Sequence, residues 1–236
     1  MFSKKVHTII LVTLLMLFAC SALQAENEGL IVIKAGKLID VTSGKILENQ
    51  MVLVENDRIK NVSSDLVIPD GATVYDLSDS VILPGLIDCH VHVDSEASGD
   101  HYRTMFKKSF VDSAIIAHIY AKRTLDAGFT SVRSLGSKGF VDIALRNAIN
   151  RGNIPGPRIQ AAGFYISSTG SHGDLVGFSP WLTETVPGEM TGIADGVDEV
   201  RKKVRYLVKY GADVIKFGAS AGVLSGEESV GAPQYS

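Results

Sequence analysis

Apolar and polar positions change rhythm along this chain of 236 residues. A largely apolar run over residues 9–19 follows Lys4 and Lys5. Between residues 30 and 80 the apolar positions come in short runs. Residues 30–36, 37–41, 51–55 and 58–62 read as strands, with Asn56-Asp57 as a hairpin turn and Pro69-Asp70-Gly71 as another turn. From Pro84 onward the pattern predicts strands alternating with helices. Val111, Ile115, Ile116, Ile119 and Tyr120 have helical spacing and end near Ala127-Gly128, where glycine can take a left-handed cap. Residues 130–133 follow as a strand, residues 140–150 as a helix stopped by Gly152, and residues 158–162 as a strand. Val197, Val200, Val204, Leu207 and Val208 mark a third helix capped at Gly211, and residues 214–217 read as a fourth strand. Such alternation predicts a parallel sheet with helices outside it. The stretch from residue 164 to residue 194 has no clear period, which points to a functional or mobile connection.

The most informative segment is Gly85-Leu-Ile-Asp-Cys-His-Val-His-Val93, started cleanly by the Pro84-Gly85 break. A strand turns successive side chains to opposite faces. Asp88, His90 and His92 then share one face, and Ile87, Cys89, Val91 and Val93 share the other. The rise of a strand puts the two histidine Cα atoms roughly 6.5–7 Å apart. Both rings can then converge on one metal ion at about 2.0–2.1 Å per nitrogen. A parallel strand normally fills both faces with aliphatics, so two imidazoles on one face call for chemistry.

The run Val81-Ile-Leu-Pro-Gly-Leu-Ile-Asp-Cys-His-Val-His92 resembles the first barrel strand of the amidohydrolase superfamily. Gly156-Pro157-Arg158-Ile159 through Thr169-Gly-Ser-His-Gly-Asp174, and Gly211-Ala-Asp-Val-Ile-Lys-Phe217, resemble its imidazolonepropionase-like and Xaa-Pro or Xaa-Arg dipeptidase-like members. The resemblance covers about residues 30 to 236. It implies the N-terminal part of a metal-dependent (β/α)8 barrel preceded by a small β-sandwich segment. The expected division is a leader over residues 1–25, the β segment over 26–83, and barrel strands one to four over 84–236. A full barrel needs about 250 residues. The family's ligands from strands five and six and its aspartate from strand eight are therefore expected beyond residue 236, and this chain alone is expected to be inactive.

Charge and cysteines narrow the picture. Lys4-Lys5, the apolar run and the small residues up to Ala25 follow the order of a secretory signal peptide, and a run of eleven residues is too short to span a bilayer. Leu17-Phe-Ala-Cys20 also resembles a lipoprotein box with Cys20 as the lipidated residue, although Phe18 fits it poorly. The expected location is the periplasm or outside the cell. The formal net charge is −3, and loss of a leader holding two lysines and no acids makes it more negative. That argues against a nucleic-acid partner. Cleavage after Ala25 would leave Cys89 as the one thiol, with no intrachain disulfide. On its strand Cys89 reads as a small buried hydrophobe.

The resemblance implies roles for particular residues. His90 and His92 would be ligands of the first metal. Lys216 matches the family's strand-four lysine. An ammonium has no lone pair, but a lysine carbamate formed with carbon dioxide is an anionic oxygen donor that can bridge two metals. The alternatives are a surface lysine or a structural partner of Asp88. His172, between two glycines, and Tyr235 match residues that hold a substrate's carboxylate in related peptidases. Ser171 stands where the family often has glycine. Asp88 is expected to support the ligands from behind. His118 reads as structural. His101 could line the mouth or sit on a lid, and Arg133 could meet substrate or an acidic neighbour. The implied function is an exported hydrolase of peptide or amide bonds, a dipeptidase or carboxypeptidase with two zinc ions, a metal-activated water and a small peptide or amide substrate. Homo-oligomers are compatible with this. A cyclic-amide, lactone or organophosphate hydrolase on the same scaffold, or an exported binding protein without catalysis, stays open.

Overall fold

The computed structural model describes residues 29–96, 107–174, 191–220, 231 and 233–235. Its contacts divide the chain after Pro84 into two units. In the first, β1 (Leu30–Asp40), β2 (Lys45–Glu55), β3 (Arg58–Ser63) and β4 (Thr73–Ile82) form one sheet in the order β3-β2-β1-β4. β1 pairs antiparallel with β2 from Leu30↔Glu55 to Asp40↔Lys45, and parallel with β4. The two strands expected at 30–36 and 37–41 are a single strand. Gly36 does not break it. A side chain there would strike the Ser78 carbonyl, so glycine lets β4 come close where the β1–β4 register shifts between Ala35 and Lys37. β4 escapes the alternation test because Asp76, Ser78, Asp79 and Ser80 interrupt its apolar positions.

The second unit opens with β5 (Leu86–Val91), α1 (Phe110–Asp126) and β6 (Phe129–Ser134). A 3₁₀ turn (Lys138–Phe140) leads into α2 (Val141–Asn150), followed by β7 (Arg158–Ala161) and α3 (Gly196–Lys209). The strands form an all-parallel open sheet, β5-β6-β7. The start of α1 follows local chemistry. Ser109 and Asp112 close a capping box at α1 by reciprocal bonds between side chain and backbone. The exits of α1 and α3 repeat a device: Gly128 and Gly211 both stand at φ 93°, a conformation glycine takes without strain.

The core lies between sheet and helices. Val132 and Ile159 of the sheet pack with Ala117 and Ala121 of α1, with Ile143 and Leu145 of α2, and with Val93. A second cluster joins Phe164, Ile166, Ala194 and Leu207. The sequence pattern placed Val111, Ile115 and Ile119 on the apolar face of α1, yet these are 51 %, 67 % and 42 % exposed. Its alanines face the core instead, because small side chains let the helix lie close to the sheet.

The predicted fourth strand is reduced to a single parallel bridge, Ile166↔Phe217. Asp213 N–H donates to the Ala161 carbonyl, Ile166 N–H to the Lys216 carbonyl, and Gly218 N–H to the Ile166 carbonyl, each at 2.8 Å. The ladder does not run between these bonds because Gly163, at φ 71°, turns the chain after β7.

Candidate active site

β5 delivers His90 and His92 to the carboxyl end of the parallel sheet, where ligands bind in folds of this kind. Their ring centroids are 5.5 Å apart at an interplanar angle of 61°. Two imidazoles on one tetrahedral zinc at about 2.0–2.1 Å would have centroids roughly 5 Å apart, so the observed pair fits a shared ion. His92 Nδ1 lies 2.9 Å from the Gly136 carbonyl oxygen. A carbonyl only accepts, so Nδ1 carries the proton and Nε2 keeps its lone pair for a ligand role. For His90, burial first, then the positive charges of Lys216 and His92, hold the pKa below the usual imidazole range, against an opposing pull from Asp88. His90 is thereby kept neutral, the form a metal needs. The Lys216 ammonium is thus near enough for His90 to feel its charge. Among the described residues no three His, Cys, Asp or Glu side chains gather as a metal group.

Two expectations for β5 need correction. Cys89 is exposed, not buried, and Ile87 is 68 % exposed. β5 is the edge strand of its sheet, so the expected apolar face is packed only at its end, where Val91 and Val93 join the core. Strict alternation also fails. Asp88 pairs with Val132 and Val91 with Ser134, so three steps on β5 oppose two on β6. Asp88 accepts from the His90 N–H at 2.9 Å within this irregular stretch.

The loop expected to bear substrate contacts is built from several segments. The backbone N–H of His172 donates to Gln234 Oε1 at 3.3 Å, and Ser168 Oγ donates to the Gln234 carbonyl at 2.8 Å. Tyr235, next in sequence, donates its hydroxyl to the Ala194 carbonyl at 3.2 Å. Burial and the Asp195 carboxylate push the Tyr235 phenol up, so it stays a donor. Asp195 itself is held below the usual carboxylate range by the hydroxyl and N–H of Thr169. His172 and Tyr235 therefore flank one loop cluster. His118 is exposed on α1, and Arg133 donates to Gln160 at 3.2 Å. His101 and the leader, including Cys20, lie outside the described residues.

Residues that the sequence pattern missed tie these parts together. The Tyr165 ring stacks on His172 at 5.6 Å between centroids and its hydroxyl donates to the His172 carbonyl at 3.2 Å. A Cβ on Gly136 would meet Tyr165 Cδ1 at 2.8 Å and His92 Cε1 at 3.2 Å. Tyr165 thus stands between the histidine pair and the His172 loop. The pairing of Gly136 with a nearby Gly173, each too close to Tyr165 for a side chain, is visible only in three dimensions.

Residues 81–236 match the amidohydrolase family. The chain is 32% identical over 222 residues to an ochratoxinase of Aspergillus niger, covering 87% of this chain and 45% of that protein. It is similar to the crystal structure of a Xaa-Pro dipeptidase with bound methionine, with TM-score 0.81 and 36% identity over 88% of this chain and 51% of that one. A prolidase complexed with N-methylphosphonate-L-proline gives TM-score 0.76 and 32% identity, over 88% and 50% of the two chains. The chain spans about half the length of these relatives.

Proposed function

The chain belongs to the amidohydrolase family, a family of hydrolases, and we propose that the complete protein is an exported dipeptidase or carboxypeptidase with a two-zinc site. The observation that carries the metal reading is the convergence of His90 and His92 at 5.5 Å with the Nε2 of His92 left as lone-pair donor. Lys216, as a carbamate formed with carbon dioxide, would supply anionic oxygen donors to the metal in this reading. Its free ammonium would be repelled by two divalent ions, whereas the carbamate is an anion. Bound metal would polarise the scissile carbonyl and lower the pKa of the attacking water. The chain's own residues do the rest. His90 stays neutral and His92 holds its proton on the side away from the site. His172 and Tyr235 present a protonatable ring and a phenol donor to a substrate's terminal carboxylate. Tyr235 would exchange its bond to Ala194 for that carboxylate. Relatives caught with methionine and with a phosphonate-proline ligand support a small peptide substrate.

The test is metal analysis of the complete protein and its variants. Native protein is expected to hold two zinc ions per chain and to hydrolyse Xaa-Pro or Xaa-Arg dipeptides. His90→Ala and His92→Ala should lose the first metal and at least about 100-fold in turnover. Lys216→Ala should lose two-metal binding, and short-chain carboxylic acids should restore part of it, because a free carboxylate can fill the carbamate's place. Two ions per chain with near-native turnover in Lys216→Ala would end the carbamate reading. Export is supported by Lys4-Lys5, the apolar run and Ala25. Mass spectrometry of protein from a bacterial periplasm should find a chain beginning at Glu26 or at a lipidated Cys20, and an intact Met1 in the cytosol would reject it.

A further inference from the structure

Behind His92 lies a buried polar cluster that no step above uses. Asp94, Ser137 and Asp142 are all buried, with Asp142 fully so. Asp94 follows β5, Ser137 lies between β6 and α2, and Asp142 is in the first turn of α2. Ser137 Oγ donates to Asp94 Oδ2 at 2.9 Å and accepts from the Asp142 N–H at 3.1 Å. The Lys138 N–H donates to the same Asp94 oxygen at 3.2 Å. Ser137 N–H donates to the Gly163 carbonyl at 2.7 Å, and the Gly163 N–H donates to Asp142 Oδ2 at 2.9 Å. The loops after β5, β6 and β7 are thus cross-linked through one serine. Among the described residues neither carboxylate has an ion-pair partner. Burying two carboxylates without ion pairs is costly, and these hydrogen bonds offset the cost while fixing the geometry around them.

That geometry is the peptide immediately before Ser137. Its carbonyl belongs to Gly136, the acceptor of His92 Nδ1. Gly136 stands at φ 150°, and the next turn carries two left-handed residues, Gly139 at φ 60° and Phe140 at φ 58°. Left-handed backbone at a bulky residue persists only where the surroundings enforce it, and such strain gathers at functional sites. We propose that Ser137, braced by Asp94 and Asp142, is a positioning residue that aims the Gly136 carbonyl at His92 and so fixes His92 as the Nδ1–H tautomer. The hydrogen bond at one ring nitrogen decides which nitrogen keeps its lone pair. Without the brace the carbonyl swings away, and His92 populates the Nε2–H form, in which the metal-facing nitrogen carries a proton. This assignment rests on His92 as a ligand, but the tautomer is a property of the metal-free protein.

The experiment reads tautomer and metal separately in the complete protein. Long-range proton–nitrogen correlation spectra of the metal-free protein, at a pH where His92 is neutral, report which ring nitrogen is protonated. Competition with a chelating dye reports zinc affinity. Native His92 is expected as the Nδ1–H form. Ser137→Ala should raise the Nε2–H population and weaken zinc binding about 10–100-fold. Asp94→Ala should do the same. Asp94→Asn, whose amide oxygen accepts the same two bonds, should keep both tautomer and affinity near native. Val32→Ala, fully buried in β1 of the first unit, serves as a destabilising control away from the brace and should move neither. Unchanged tautomer and zinc affinity within twofold in Ser137→Ala and Asp94→Ala would overturn the proposal. If Ser137→Ala fails to fold, the contrast between Asp94→Ala and Asp94→Asn decides. Native protein that binds no zinc, but whose His92 tautomer answers to Ser137, would leave the brace standing and remove the metal reading.

Discussion

Asp142 shows what one buried carboxylate does to this fold. Burial is the main cause that raises its pKa above the ordinary 3.8, Asp94 adds to the rise, and N–H donors from Gly163, Ile143 and Ala162 oppose it. The folded state therefore holds this proton more tightly than the unfolded chain. The group's contribution to stability is full below the ordinary value and is lost as pH rises through the raised folded value. The exposed aspartates have the opposite sign. Asp40, Asp76 and Asp112 lie below their usual range, chiefly through serine hydroxyls, so what they add is lost as pH falls. The two slopes overlap in a single curve, and a difference separates them. Subtracting unfolding free energies of Asp142→Asn from native, measured in urea from about pH 4 to pH 8, should give a curve that falls with rising pH and then flattens. A flat difference throughout would mean that Asp142 titrates alike in both states. The variant should also carry a pH-independent loss of about 1–3 kcal/mol, because an amide nitrogen cannot accept the N–H bonds that Asp142 takes.

At the scale of elements, the turn into α2 sets the candidate site, and Phe140 is its keystone. It starts the helix at φ 58° with no side-chain cap. Its ring lies 5.5 Å from Phe164, 6.0 Å from Tyr206 and 5.2 Å from Tyr210, centroid to centroid. Glycine there would relieve roughly 1–3 kcal/mol of backbone strain. It would also lose three aromatic contacts worth about 0.5–1.5 kcal/mol each, in addition to buried area, and gain unfolded-state entropy. Packing wins this balance. Phe140→Gly is expected to destabilise the complete protein by about 1–3 kcal/mol, read as a lower Tm, and an unchanged or higher Tm would show that strain dominates. Periodicity made most barrel elements legible: residues 110–126, 129–134, 141–150 and 196–209 were visible from apolar spacing and from glycines at helix exits. It did not reveal β4, whose serines and aspartates mask its alternation. It made a strand of residues 214–217, because sequence cannot show that Gly163 turns the neighbouring chain away. The histidine pair was legible because a two-residue spacing survives an irregular strand. Tyr165, Gly136 and the Ser137 cluster were not, since the contacts that join them to the histidine strand, Gly136 to His92 and Ser137 to Asp94, link segments far apart in sequence.

For the whole molecule, the sheet β5-β6-β7 is open at both ends, while the relatives' chains run about twice as far. Leu86 and Ile87 on the edge strand are 42 % and 68 % exposed, and Val111, Ile115 and Ile119 form an exposed stripe along α1. Spacing of four residues puts that stripe on one side of the helix. Contiguous apolar surface of this kind marks an interface or an aggregation hazard, and an unpaired strand edge adds to it. In a closed barrel further strands and helices would cover such an edge and supply the remaining ligands. A polypeptide ending at Ser236 is accordingly expected to bind a hydrophobic dye strongly, to elute larger than a 25.3 kDa monomer, and to show no zinc-dependent turnover of Xaa-Pro or Xaa-Arg dipeptides. Adding a second polypeptide with the remaining barrel strands should reduce dye binding and produce turnover together, because the same surface closes the fold and completes the site. Zinc-dependent hydrolysis by the 236-residue polypeptide alone would show that the described half of the barrel, with His90, His92 and Lys216, is a sufficient catalyst.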